Sequence, residues 1–168
     1  IIASVIVGIV GGLEPTATVS AITSGFGGTL GSIGIIIGFG VMMGKMLELS
    51  GAAEKMALTF LKLFGKGREE WALSITGFLV SIPIFCDSGF VILSPLAKAL
   101  SKKTKKSIVA LSIALAGGLV ITHSLVPPTP GPLGVAGTFG VDVGKFILMG
   151  IALAIPMAIV VTLYGKFK

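Results

Sequence analysis

The chain has 168 residues, 54% of them apolar and 12% charged, with a mean hydropathy of +1.06. A soluble domain carries about 25% charged residues, so water is not the main solvent of this one. The formal charge of +6 does not indicate a nucleic-acid binder, because the Lys and Arg residues stand in short tracts between apolar stretches rather than among stacking aromatics. One cysteine and one histidine exclude an intrachain disulfide and a soft-ligand metal centre. No cofactor is expected, and with neither an HExxH helix nor a nucleophile elbow, an intramembrane enzyme is disfavoured.

Residues 1–13 are apolar and begin without an initiator Met, a charged flank or a cleavage site, so they do not read as a signal peptide; the chain is expected to be a piece of a longer protein. Residues 29–47 are long enough to cross a bilayer, which takes about 20 residues. Just before and along that region Gly27, Gly31, Gly34 and Gly38 recur at helical spacing, with Gly40 and Gly44 on a neighbouring line. Such rows let two helices approach closely, and packing is preferred here to a substrate path. In residues 52–64, Ala53, Met56, Ala57, Phe60, Leu61 and Phe64 form an apolar face opposite Lys55, Thr59 and Lys62. This pattern predicts an amphipathic helix lying in the cytoplasmic interface.

Residues 71–100 are apolar but interrupted by Pro83, Asp87, Gly89 and Pro95. Basic tracts flank them: Lys55, Lys62, Lys66 and Arg68 before, and Lys98, Lys102, Lys103, Lys105 and Lys106 after. A single crossing would put one tract outside, against the positive-inside rule. A re-entrant hairpin turning between Pro83 and Gly89 keeps both inside, its second limb starting near Ser88 and Gly89. Residues 107–140 are expected to be a broken helix, because Pro127, Pro128, Pro130 and Pro132 cannot all lie in helix interiors; a further short helix is placed after Gly131. Residues 143–164 form another membrane helix, with Lys166 and Lys168 returning to the cytoplasm. Residues 14–28 and 127–142 contain no Lys or Arg and are expected to be external or membrane-embedded; Lys145, just beyond, fits this topology by snorkelling from a helix end.

Irregular backbone at membrane depth is tolerated only where protein buries it or it lines a wet cavity, so segments 83–96 and 123–132 point to one site. Half-helix N-termini there offer amides and partial positive charge to an anion. The candidate substrate contacts are Asp87, Ser88, Gly89, Thr122, Ser124, Thr129 and Gly131. Two readings of Asp87 stand: an intramembrane acid that titrates during coupling, or a carboxylate serving the start of the second limb. His123 likewise is either a proton carrier or a neutral ring bonded to freed carbonyls. Cys86 reads as a small buried apolar residue.

The motifs GFGGTLGSIG, GFGVMMGKMLELSG, TGFLVSIPIFCDSGFVILSPL and THSLVPPTPGPLGVAGTFGVDVGK together resemble the gluconate permease family over nearly the whole chain. The resemblance implies an all-α polytopic protein of the bacterial cytoplasmic (inner) membrane. It implies one half of an inverted-repeat transporter, with interfacial helix, re-entrant hairpin and broken helix, whose second half lies outside this chain. It implies uptake of gluconate or a related hydroxy-acid anion with protons, and is compatible with a homo-oligomer. By the same resemblance Pro83, Asp87, Ser88 and Gly89 fall in the hairpin tip, and His123, Pro127, Pro128, Thr129, Pro130 and Gly131 in the break. Many relatives have Glu and a small apolar residue in place of Asp87 and Ser88, and a second His in place of Thr129. That keeps glycerate and D-serine open as substrates. A channel or a structural membrane subunit stands as a separate alternative to transport.

Overall fold

The computed structural model describes residues 1–64 and 67–167, with backbone alone for Ser32, Ile33 and Ile36. Expectations that fall on Lys66 and Lys168 lie outside the described residues. All regular structure described is helical: α1 (Ile2–Val10), α2 (Pro15–Leu49), α3 (Ala52–Phe64), α4 (Glu69–Val80), α5 (Cys86–Thr104), α6 (Ile108–Leu125), α7 (Pro130–Thr138) and α8 (Val143–Lys166).

The centre is the α4–α6 pair. Leu73 and Val80 of α4 and Leu111, Leu115 and Leu119 of α6 are fully buried. These helices meet backbone to backbone because each presents a glycine: a Cβ on Gly77 would lie 2.6 Å from the Leu115 carbonyl oxygen, and one on Gly118 would collide with the Ser74 carbonyl. Small residues at helix crossings are how membrane helices gain dispersion contacts when lipid is as apolar as leucine. On its other side α6 packs on α8, where Gly117 faces Val161 and Gly165 faces Ala110.

The outer helices are apolar outside as well as in. Ile2 and Val10 of α1, Phe26 and Phe39 of α2, and Leu148 and Val160 of α8 are all more than half exposed. Such a surface needs lipid or more protein against it. By length and composition, Ile108–Thr138 and Val143–Lys166 are apolar enough to cross a membrane.

Three local outcomes differ from the sequence pattern. First, α2 starts at Pro15 and runs unbroken for 35 residues, about 52 Å at 1.5 Å per residue. The glycines and threonines of residues 15–28 continue the helix, and the Thr23 and Thr29 hydroxyls donate back to the Val19 and Gly25 carbonyls at 2.9 Å each. Second, α5 begins at Cys86, so Asp87, Ser88 and Gly89 occupy its first turn and the break is residues 81–85. Third, Pro95 lies inside α5 rather than interrupting it. Proline removes the amide that would bond the carbonyl four residues back, and the Ser94 hydroxyl donates to that carbonyl, Val91 O, at 3.2 Å.

The far ends of α4 and α5 come together. Lys106, in the turn after α5, places Nζ 2.8 Å from Glu69 Oε2 and 2.5 Å from Glu70 Oε2 at the start of α4, and also donates to the Gly67 carbonyl at 3.0 Å. Both carboxylates are buried. Burial pushes the Glu69 carboxyl up, but hydrogen bonds from Lys106 and the Gly67 amide outweigh it and hold the group below its ordinary value. Burial pushes Lys106 down; hydrogen bonds to Glu69 and Glu70 and the charges of both outweigh that and leave it raised.

Helix α3 lays Ala53 and Ala57, both fully buried, against the core cluster of α4, α5 and α6. Its Lys55, Thr59 and Lys62 are exposed, as the amphipathic pattern requires.

Candidate functional site

Residues 81–85 and 126–129 interrupt the two central helices, and they meet. The Phe85 ring stands 5.5 Å from the His123 ring, centroid to centroid, tilted by 59°. Helix α2 closes the third side with its glycines: Gly40 lies against Pro128, and a Cβ on Gly44 would collide with the Pro83 carbonyl. Between them is a crevice of about 20 Å³ lined by Gly40, Pro83, Phe85, Pro128, Thr129 and Pro130, among others.

Thr129 holds the second break in shape. Its Oγ1 is 2.8 Å from the His123 carbonyl and 2.9 Å from the Val126 carbonyl, so one hydroxyl proton serves two acceptors that the end of α6 leaves open. The Pro127–Pro128 peptide is cis. Helix α7 then starts at Pro130, two residues before the position expected, with proline at N1 where its fixed φ suits a helix start. Since Pro130 and Pro132 lack amides, Gly131 is the one exposed donor of that first turn.

His123 lies in the last turn of α6. Its Nδ1 is shut off from solvent and has no hydrogen-bond partner among the described residues, so the ring is not bonded to the freed carbonyls at that atom. A buried imidazole nitrogen without a partner is costly.

Asp87 is exposed in the first turn of α5, where a carboxylate faces the positive end of the helix dipole. The Cys86 thiol is 3.8 Å from its Oδ1. With Phe90, Val91, Leu119 and Val120, Asp87 lines a second crevice of about 370 Å³ on the α5–α6 face. Gly89, buried beside it, leaves no room for a Cβ against Leu119.

The remaining candidates divide by access. Thr122 is fully buried and its hydroxyl donates to the Gly118 carbonyl at 3.1 Å, which leaves it no free proton to offer. Ser124 and Gly131 are exposed, and Ser88 is half-buried. The structure thus gathers Pro83, Thr129 and Pro130 in one crevice and sets Asp87 in another. Phe85, Gly40 and Gly44 were not singled out as site residues from the sequence. The Gly40–Gly44 spacing was the available signal, since it marks a helix face that accepts close backbone contact.

Among the described residues no cluster of three His, Cys, Asp or Glu side chains is placed to hold a metal ion.

The model of the GntP permease family matches residues 1–168. The chain belongs to the GntP permease family. It is 60% identical over 99% of its length to an uncharacterized permease of Haemophilus influenzae, covering 34% of that protein. It is 41% identical over 94% of its length to a gluconate permease of Pseudomonas aeruginosa, covering 35% of it. It is 38% identical over 95% of its length to a high-affinity gluconate transporter of Escherichia coli, covering 36% of it. The chain therefore spans about a third of the length of these relatives, which are named as permeases and transporters, not enzymes. No solved structure matches it. The family, together with the two long apolar helical segments, makes the chain part of a membrane protein.

Proposed function

We propose that the chain forms the first repeat of a proton-coupled permease for gluconate or a related sugar-acid or hydroxy-acid anion in a bacterial cytoplasmic membrane. The observation that carries the reading is the meeting of the two interrupted helices at Phe85 and His123. Interrupted helices touching at membrane depth are the construction by which secondary transporters expose amides to a substrate.

In this reading α4 and α5 are the limbs of a re-entrant hairpin. The Lys106 bridge to Glu69 and Glu70 supports that, since it ties the hairpin's two far ends together at one basic, cytoplasmic face. Helices α6 and α7 are the two halves of the broken helix, and α3 lies in the interface. The first amides of α5, on Cys86, Asp87 and Ser88, have no intrahelical acceptors and face an incoming carboxylate. Thr129 lines the crevice between the breaks and Asp87 the one on the α5–α6 face; the exposed Ser124 and Gly131 and the half-buried Ser88 are the further candidate contacts, while Gly89 and Thr122 are buried and shape the backbone. A crevice of about 20 Å³ holds no more than a water, so the opposite wall comes from parts of the permease beyond this chain.

Protons couple through Asp87 or His123. His123 carries a buried nitrogen with no partner, which a proton, a water or a substrate hydroxyl would satisfy.

Uptake of labelled gluconate by proteoliposomes of the full-length permease, with and without an inward proton gradient, tests this. Accumulation should require the gradient, and Asp87→Asn or His123→Gln should abolish accumulation while the protein remains folded. Gradient-independent uptake would remove proton coupling. Unlabelled glycerate and D-serine as competitors separate gluconate from other small acids.

A further inference from the structure

On the face that carries the basic tracts, α3 and the end of α5 diverge and leave a groove of about 480 Å³, within the roughly 300–1,000 Å³ range of small-molecule sites. Its walls are Leu58 and Leu61 from α3 and Leu96 and Leu100 from α5, with Lys62 and Lys103 at its edge. Leu58 is 43% exposed. Among the described residues Lys62 and Lys103 have neither a carboxylate within ion-pairing distance nor a hydrogen-bond partner. The acidic residue that borders the groove, Glu69, is already held by Lys106.

We infer that this groove is a binding site for one anionic phospholipid, its phosphate between Lys62 and Lys103 and its upper methylenes against the four leucines. The two halves of the lining call for the two halves of that ligand. Two unpaired ammonium groups over an apolar trough suit a molecule with a negative head continuous with a hydrocarbon tail. A basic recess between helices at the cytoplasmic interface meets such lipids in the leaflet, and an amphipathic helix like α3 lies at the depth of their headgroups. The inference rests on α3 lying in the cytoplasmic interface, not on the identity of the substrate or on proton coupling. Occupied, the site would fasten α3 to the base of α5 and make the packing of that end depend on membrane composition.

The test is titration of the purified full-length permease with phosphatidylglycerol or phosphatidylethanolamine, reading bound lipid by native mass spectrometry. Phosphatidylglycerol should be retained in preference. Lys62→Gln with Lys103→Gln should weaken its retention by about fivefold for each lysine, roughly twenty-five-fold together. Lys98→Gln with Lys102→Gln removes the same charge outside the groove, from the tract that carries Lys103, and should leave that retention unchanged. Lys62→Gln alone, an exposed single change, gives the same direction if the double variant does not fold. Equal retention of the two lipids would overturn the inference, as would equal losses in the two double variants. So would displacement of the lipid by inorganic phosphate alone, or a groove already covered by the remainder of the permease and holding no lipid. A failed uptake experiment with intact lipid retention would count against the transport reading alone.

Discussion

Placing a single methyl group at Gly77 should unseat the central helix pair. A Cβ there would stand 2.6 Å from the Leu115 carbonyl oxygen, 3.0 Å from the Leu119 amide nitrogen and 3.3 Å from Leu119 Cγ. The first two are backbone atoms of a helix, so no rotamer change can clear them, and α4 must retreat from α6 by somewhat under an ångström. Leu73, Leu111, Leu115 and Leu119, all fully buried, then lose contacts together. Overpacking of a tight core costs about 1–3 kcal/mol, and Gly77→Ala should reach the upper end because backbone has to move. Gly118→Ala, which drives a Cβ into the Ser74 carbonyl on the facing helix, should cost as much. The two changes relieve each other: once either has separated the helices the second meets less resistance, so the double variant should fall well short of the sum. Unfolding of the purified full-length permease in a detergent series measures all three. Single variants within half a kcal/mol of the parent, or strictly additive losses, would refute the contact.

Thr129→Val keeps the shape and removes the hydroxyl shared by the His123 and Val126 carbonyls; a loss of about 1–3 kcal/mol is expected, recovered by Thr129→Ser and read as a shift in melting temperature. Lys106→Met leaves Glu69 and Glu70 buried without their cation; breaking a buried pair costs about 3–5 kcal/mol, and the partial exposure of Lys106 puts the expectation at the low end. Because the Glu69 carboxyl is held below its ordinary 4.5, its contribution is complete above that pH and is lost as pH falls through the lowered value. Because Lys106 is raised above 10.5, its contribution is complete below that pH and is lost as pH rises through the raised value. The melting temperature of the parent against pH should therefore fall at the acid end, and that of Lys106→Met should lack the part due to the pair. In a Cys86→Ala background, Arg68→Cys and Lys103→Cys should react with a membrane-impermeant thiol reagent from the same side; opposite sides would refute the hairpin.

The places where helices stop were legible where proline makes continuation impossible. Four prolines between Pro127 and Pro132 forced an interruption, and Pro83 lies in the other one. Pro95 carried the same warning and misled, because a neighbouring hydroxyl, Ser94, takes over the carbonyl that the proline leaves open, a compensation that depends on rotamer rather than on composition. The early part of α2 was illegible for a related reason: a run of Gly and Thr reads as loop until the threonine hydroxyls turn back onto their own helix. The amphipathic face of α3 could be read directly from its period. What no local pattern announces is a partnership across 36 residues such as that of Lys106 with Glu70, nor which of two glycine rows would be used. Gly27, Gly31 and Gly38 have nothing within 4 Å of where a Cβ would be, whereas Gly40 and Gly44 carry the contacts to both breaks.

On the α2 side those last two contacts are made by main chain, which meets the Pro128 ring at one point and the Pro83 carbonyl at the other with no side chain of its own to interlock. A surface of that kind bears load along its normal yet has no teeth, so a neighbouring segment sliding along α2 would have no rotamers to unlatch. Any residue larger than glycine at position 44 would turn that bearing into a stop.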